Sequence, residues 1–261
     1  MTTAALLVSG AGDLGLRVAL KLAQTSLSPA SICCETLSNR RHPKILGAGF
    51  RAKTTHDPAV AAERLIVAFS PSEDYEAEVS RALASWTRQG PALLVSSIGV
   101  FPQNDASLVD ESSPVDEGLA LVRAERIALS NGAHVIRLAG LYDAQRGPHV
   151  YWESRKVQNS WSEGLVNLVH RADAAEACAQ LLFSDQAPGI WCLSDGAPLS
   201  RAQISDAWSK FKTCEPTQFV GRQGPQGKRV SSQKIRDALG WTPRWKSFLD
   251  FVESGSPVDS P

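Results

Sequence analysis

The sequence predicts an α/β protein with a mostly parallel sheet and helices on both faces. Three observations carry this. Short apolar runs alternate with helical patterns over the first two thirds of the 261 residues. Strands that alternate with helices need crossovers, and crossovers build parallel sheets covered on both sides. A glycine-rich turn, Gly10-Ala11-Gly12-Asp13-Leu14-Gly15, leaves an apolar run and enters a helical pattern. The composition is that of a soluble globular chain, 43% hydrophobic and 21% charged, long enough to bury a core without disulfides or metals.

The elements follow in order. Residues 6–9 read as the first strand and 14–23 as the first helix. Residues 31–37 read as the second strand. Residues 65–69 and 93–97 are strongly apolar strands. Between them, 75–86 carry apolar residues at helical spacing. Residues 119–129 form a helix stopped by Asn131-Gly132, and His134–Leu138 is another strand. In the last third, 172–183 form a helix and 189–193 a short strand. Ser200-Arg201-Ala202-Gln203 is a capping box that starts a helix reaching about Phe211. A loop rich in Gly, Gln and Pro spans 221–227, and 230–239 form a last helix ending at Gly240. This organisation predicts a nucleotide-binding domain of residues 1–146 with 167–188. A small C-terminal α/β lobe for substrate takes 147–166 with 189–253, and 254–261 form a disordered tail.

Composition also excludes classes. Lys plus Arg equals Asp plus Glu, 27 against 27, so no nucleic acid is expected as partner, because polyanion binding needs concentrated positive charge. The N-terminus has no basic start followed by a long apolar run. No stretch reaches the roughly 18 apolar residues of a membrane span, so no membrane partner is expected. The five cysteines are odd in number and fit no zinc spacing. They read as reduced thiols of a cytoplasmic protein without a bound metal.

The glycine turn points to a dinucleotide. Gly10 permits the tight turn, Gly12 lets backbone approach a pyrophosphate, and Gly15 packs helix on strand. The N–H groups of Asp13, Leu14 and Gly15 then face the phosphates at the helix start. Glu35 lies about 20 residues past Gly15, where an acid grips the ribose hydroxyls of NAD. Arg40 and Arg41 follow directly, and two arginines there clamp a 2′-phosphate. NADP is therefore the expected cofactor, with NAD as the alternative. The fold is a Rossmann-like doubly wound parallel sheet.

Further motifs join into a family pattern. They are Ser96-Ser97-Ile98-Gly99-Val100-Phe101, Glu111 and Pro114 before a helix containing Glu125, and Arg137-Leu138-Ala139-Gly140-Leu141-Tyr142. Then come Asn167-Leu168-Val169-His170-Arg171-Ala172-Asp173, Lys228-Arg229-Val230-Ser231 and Leu239-Gly240-Trp241-Thr242-Pro243. From the glycine turn to about Trp245 the chain resembles the extended and atypical short-chain dehydrogenases/reductases, in particular the NAD-dependent epimerase/dehydratase superfamily. The resemblance implies that Asp57 ends the third strand near the adenine. It places Phe69, Ser70 and Ser96 beside the cofactor, and makes Ser97 the family's catalytic serine. It gives Asp173 a structural part under the helix that follows. It also implies a homodimer through helices 75–86 and 119–129.

The family's catalytic Tyr and Lys, four residues apart, are missing. The three tyrosines, Tyr75, Tyr142 and Tyr151, are followed four positions later by Val79, Arg146 and Arg155. Anchored on Glu125, the family helix puts Glu117 in the tyrosine slot and Leu121 in the lysine slot. Carbonyl reduction needs a proton donor, so Glu117 and Tyr142 become catalytic candidates beside Ser97. Phe101, Arg146, His149, Tyr151 and Trp152 lie where the family crosses the substrate side of the cleft. The leading expectation is an NAD(P)-dependent oxidoreductase of the atypical type, acting on a small organic substrate with a non-standard proton donor. Two alternatives stay open: a non-redox isomerase, lyase or cyclase reusing the fold, and a nucleotide sensor without catalysis.

Overall fold

The computed structural model describes residues 3–256. Seven parallel strands form the central sheet. They are β1 Ala4–Ser9, β2 Ile32–Thr36, β3 Arg51–Thr54, β4 Ala62–Val67, β5 Ala92–Ser97, β6 His134–Leu138 and β7 Ile190–Leu193, in the order β3-β2-β1-β4-β5-β6-β7. The chain runs outward from β1 to β3, returns to β4 beside β1, and then runs outward the other way. This reversal opens a crevice at the carboxyl ends of β1 and β4, where open α/β sheets take ligands. The helices are α1 Asp13–Thr25, α2 His42–Gly47, α3 Tyr75–Leu83, α4 Ala120–Ser130, α5 Pro148–Arg155, α6 Arg171–Leu181, α7 Arg201–Lys212, α8 Gln233–Leu239 and α9 Phe248–Glu253.

Alternation along the strands divides the core. Successive strand side chains point to opposite faces. Leu6 and Val8 of β1 pack with Leu14, Val18 and Leu22 of α1 and the alanines of α6. Leu7, between them, packs on the other face with Tyr75 and Val79 of α3 and Ala124 and Ala128 of α4. Each fully buried leucine or valine contributes roughly 1.5–3 kcal/mol. A third core fills the small lobe: Trp152 of α5, Ile204 and Trp208 of α7, Trp245, and Phe248 and Phe251 of α9. There α7 begins with the capping box read from sequence. Ser200 Oγ accepts from Gln203 N at 3.2 Å, and Gln203 Oε1 accepts from Ser200 N at 2.8 Å.

The lobe boundary differs from the sequence reading. Residues 190–193, assigned to the small lobe, form β7 and pair with β6. Ile235 of α8 and Trp241 join the main core with α1 and α6. Parallel pairing with β6 satisfies the backbone of β7, and sequence order alone does not reveal that return. The helix expected from 230 starts at Gln233, because Gly227–Val230 pairs as a strand with Asp105–Val109. The Pro-initiated α5 was absent from the sequence reading, and the third strand, expected to end at Asp57, is the polar β3, which ends at Thr54. Of the tail expected at 254–261, residues 257–261 lie outside the described residues; Ser256 is buried and its N–H reaches Phe251 O at 3.1 Å. Among the described residues, no helix is long and apolar enough to cross a membrane.

Candidate functional site

The crevice is built around the glycine turn. Gly10 has φ +89°, and a Cβ there would sit 2.5 Å from Phe69 N. A Cβ on Gly15 would lie 2.6 Å from Gly10 O and 2.9 Å from Val8 Cγ1. Both positions therefore require glycine on steric grounds. Gly12 differs: its nearest neighbour would be Gly10 O at 3.8 Å, and it makes no side-chain cap on α1. Its open side leaves backbone N–H groups of the first turn of α1 without intrahelical partners. That cradle, open only at Gly12, fits a dinucleotide pyrophosphate.

Two adjoining cavities extend from the turn. One, of about 280 Å³, is lined by Gly10, Ala11, Gly12, Thr36, Leu37, Ser38, Arg40, Arg41 and Ala68 to Ser70. The other, of about 510 Å³, shares Gly10, Thr36, Leu37, Phe69 and Ser70 and adds Glu35, Thr55, His56, Glu78 and Arg81. Arg40 and Arg41 are exposed and stand in the short turn after β2. Phe69 and Ser70 line both cavities.

Several expected contacts are redirected. Asp13 and Leu14 can offer only their N–H groups. The Asp13 carboxylate pairs with Arg17 at 3.3 Å and Arg171 at 3.0 Å, and the Leu14 side chain is buried. Asp57 is exposed and does not line the larger cavity. Its carboxylate accepts from Thr54 N at 2.6 Å and Thr54 Oγ1 at 2.9 Å, and these bonds hold its pKa low. Ser96 is buried and donates to Glu125 at 2.5 Å, so it braces the Glu125–Arg137 pair rather than a cofactor. Glu35 is 1% exposed and spends its carboxylate on Ser9, Lys53 and Arg81.

The catalytic candidates separate sharply. Ser97 is half-buried at the end of β5, where its Oγ accepts from Gly99 N at 3.0 Å. Its hydroxyl proton remains free to donate. Glu117 does not fill the role expected of it. It precedes α4, its side chain is 59% exposed, and it pairs with Arg126. Tyr142 is also corrected: it is fully buried among His149, His170, Phe248 and Phe251, and burial drives its pKa up. A phenol locked in the small-lobe core reaches no substrate.

The substrate candidates are mostly packing. Phe101 is buried beneath Arg137, whose Cζ lies 5.0 Å from the ring centroid. Trp152 is buried against Phe219. His149 is 1% exposed, bonds Asp143 O through Nε2 at 3.0 Å, and is pushed down to about 4 by burial. It stays neutral at pH 7 and cannot shuttle protons. Arg146 is exposed, and Tyr151 is half-exposed on α5 under the Arg155 guanidinium. The resemblance places these positions on the substrate side of the cleft but does not fix which of their side chains pack inward. Asp173 takes the structural part implied: its carboxylate accepts from Arg244 N at 3.0 Å and Trp245 N at 3.4 Å.

One group escaped sequence reasoning. Lys228 Nζ donates to Phe101 O and, at 3.4 Å, to Ile98 O, both just beyond β5. It is half-buried and burial lowers its pKa. Among the described residues it pairs with no carboxylate. The resemblance had noted Lys228 as a motif residue without assigning it chemistry. Only the pairing of Gly227–Val230 with Asp105–Val109 carries it to β5.

Comparison with known proteins places this geometry. No family model matches the chain, and no curated protein matches it in sequence. Solved structures do. A conserved protein of unknown function from Silicibacter pomeroyi is 18% identical, with a TM-score of 0.75 over 97% of this chain and 98% of that one. UDP-glucose 4-epimerase from Thermotoga maritima, solved with UDP-glucose, is 13% identical, with a TM-score of 0.76 over 97% and 98%. dTDP-glucose 4,6-dehydratase from Bacillus anthracis, solved with NAD, is 11% identical, with a TM-score of 0.77 over 97% and 96%. The chain has the Rossmann-like fold of the NAD-dependent epimerases and dehydratases of the short-chain dehydrogenase/reductase type.

Proposed function

We propose that this chain is an NADP-binding oxidoreductase of the atypical short-chain type, acting on a small organic substrate. The observation that carries the reading is the nucleotide groove. An open glycine cradle leads to Arg40 and Arg41, while the acid that would hold a ribose is already used within the protein. Two guanidinium groups match a phosphate in charge and geometry. Bound nucleotide supplies or accepts the hydride. Ser97 orients a substrate oxygen with its free hydroxyl proton. Tyr142 is buried and Glu117 lies on the surface, so proton donation falls to Lys228 at the same strand end. Its ammonium protonates the oxygen as hydride reaches the carbon, and solvent restores it. The protein is read as a cytoplasmic homodimer.

The test is nucleotide affinity. Replacing Arg40 and Arg41 together by alanine is expected to weaken NADPH by roughly 10²-fold, about 1.4 kcal/mol per lost contact, and to leave NADH nearly unchanged. Calorimetric titration reads both. Equal loss of the two nucleotides would remove the NADP assignment, and no binding of either to the unaltered protein would sink the whole reading.

A further inference from the structure

The wall of the larger cavity holds a polar cluster that the proposed chemistry does not use. Ser9, Glu35 and Lys53 are register neighbours on β1, β2 and β3. Their side chains meet on one face. Ser9 Oγ donates to Glu35 Oε1 at 2.7 Å, and Lys53 Nζ donates to Glu35 Oε2 at 2.5 Å. Arg81, from α3, reaches across the strands and closes the set with two bonds, at 2.7 Å and 3.2 Å.

A carboxylate offers about four lone-pair positions. Here one bond comes from Ser9, one from Lys53 and two from Arg81. Glu35 therefore has no acceptor left for the two hydroxyls of an adenosine ribose. The charge follows the same logic. Glu35 with Lys53 is neutral, and Arg81 leaves this cluster of side chains one unit positive. The Arg81 side chain is 41% exposed, whereas Lys53 and Glu35 are buried at 8% and 2%. Arg81 is thus the member that separates Glu35 from the cavity. Glu78, the other carboxylate on this wall, takes a hydrogen bond from Ser72 at 2.8 Å.

We infer that Arg81 is a further specificity-determining residue of the nucleotide site, beside Arg40 and Arg41. By occupying both oxygens of Glu35, it withdraws the ribose-binding acid that would favour NAD and presents a cation to a 2′-phosphate. This rests on the reading of the groove as a dinucleotide site. Burial pushes the Glu35 carboxyl up, but the bonds from Arg81, Lys53 and Ser9 outweigh it and hold the group ionised. Arg81 acts partly through Glu35, so its removal has a signature that a mere loss of stability lacks. One acceptor on each Glu35 oxygen becomes free, spaced for two vicinal hydroxyls.

The experiment titrates NADPH and NADH separately into the full-length protein, following tryptophan fluorescence. Arg81→Met is expected to lower the ratio of NADPH to NADH affinity by about tenfold or more, with NADH binding tightened in absolute terms. Adding Glu35→Gln to that variant is expected to cancel the NADH gain. Arg81→Lys keeps the charge but not the fork, and should move the ratio by only about threefold. An unchanged ratio in both Arg81 variants overturns the inference, as does weakening of both nucleotides in parallel. If Arg81→Met melts before binding can be read, Arg81→Lys alone decides on the same criterion. Failure of the unaltered protein to bind either nucleotide refutes the dinucleotide reading instead, and is a separate outcome.

Discussion

Gly12→Ala separates folding from binding at the glycine turn. The backbone there is extended, with φ −71° and ψ −150°, and a Cβ would meet only Gly10 O at 3.8 Å. Alanine at a compatible glycine position stabilises a protein by about 0.4–1 kcal/mol, because the unfolded chain loses freedom. The ligand-free variant should therefore melt no lower than the parent. In the proposed nucleotide site the same methyl would stand in the seat of the pyrophosphate. Displacing that group costs contacts to about two N–H groups of α1, each worth about 1.5–3 kcal/mol when charge-assisted. The sum, about 3–6 kcal/mol, is two to four powers of ten in Kd. Gly15→Ala behaves in the opposite way: its Cβ at 2.6 Å from Gly10 O overpacks the turn. That costs about 1–3 kcal/mol, or about 2–4 °C of Tm per kcal/mol in a chain of this size. Scanning calorimetry without ligand and NADPH titration at 25 °C measure both quantities. Parental NADPH affinity in Gly12→Ala would refute the pyrophosphate seat. A fall of Tm by more than about 5 °C in that variant would refute the steric argument.

Three further predictions concern the buried charged and titratable groups. Glu125→Ala strands the Arg137 guanidinium, which is 3% exposed on its side chain and already has Nη1 without a hydrogen-bond partner. Breaking a buried pair costs about 3–5 kcal/mol, so chemical denaturation should show a loss of that order; less than about 1 kcal/mol would mean that water reaches the pair. Stability should also climb with pH between about 4 and 6.5. Burial pushes His149 down to about 4 and His170 down to about 3. The unfolded chain therefore binds more protons in that window, and stability gained above 6.5 is lost as pH falls. Asp195 works in the other direction: burial raises it to about 7, so its contribution is lost as pH rises through that value. Asp195→Asn should consequently gain Tm relative to the parent at pH 8 compared with pH 5. A difference that does not change with pH would show that Asp195 stays ionised in the folded protein.

Much of the fold was legible because it depends on local and periodic signals. Apolar runs at 65–69 and 93–97, the His134–Leu138 strand and the glycine turn all mark themselves through alternation or steric need. The capping box at Ser200 and Gln203 is equally local, and its geometry matches the expectation. By contrast, β3 carries Arg51, Lys53 and Thr54 on a four-residue edge, and no periodicity distinguishes it from a loop.

Architecture and the glycine cradle before α1 were legible in the sequence. Both follow from short-range rules: side-chain period, the glycine φ at position 10, and the orphan N–H groups at a helix start. Only the tertiary structure decided which polar groups are free to act. Glu117 sits on the surface, Tyr142 and His149 lie inside an aromatic core, and Ser96 is bound to Glu125. Lys228 reaches β5 only through a strand pairing more than a hundred residues away in sequence. The physical reason is burial and pairing. Both depend on contacts between distant segments, and a residue's chemistry follows from them rather than from its type.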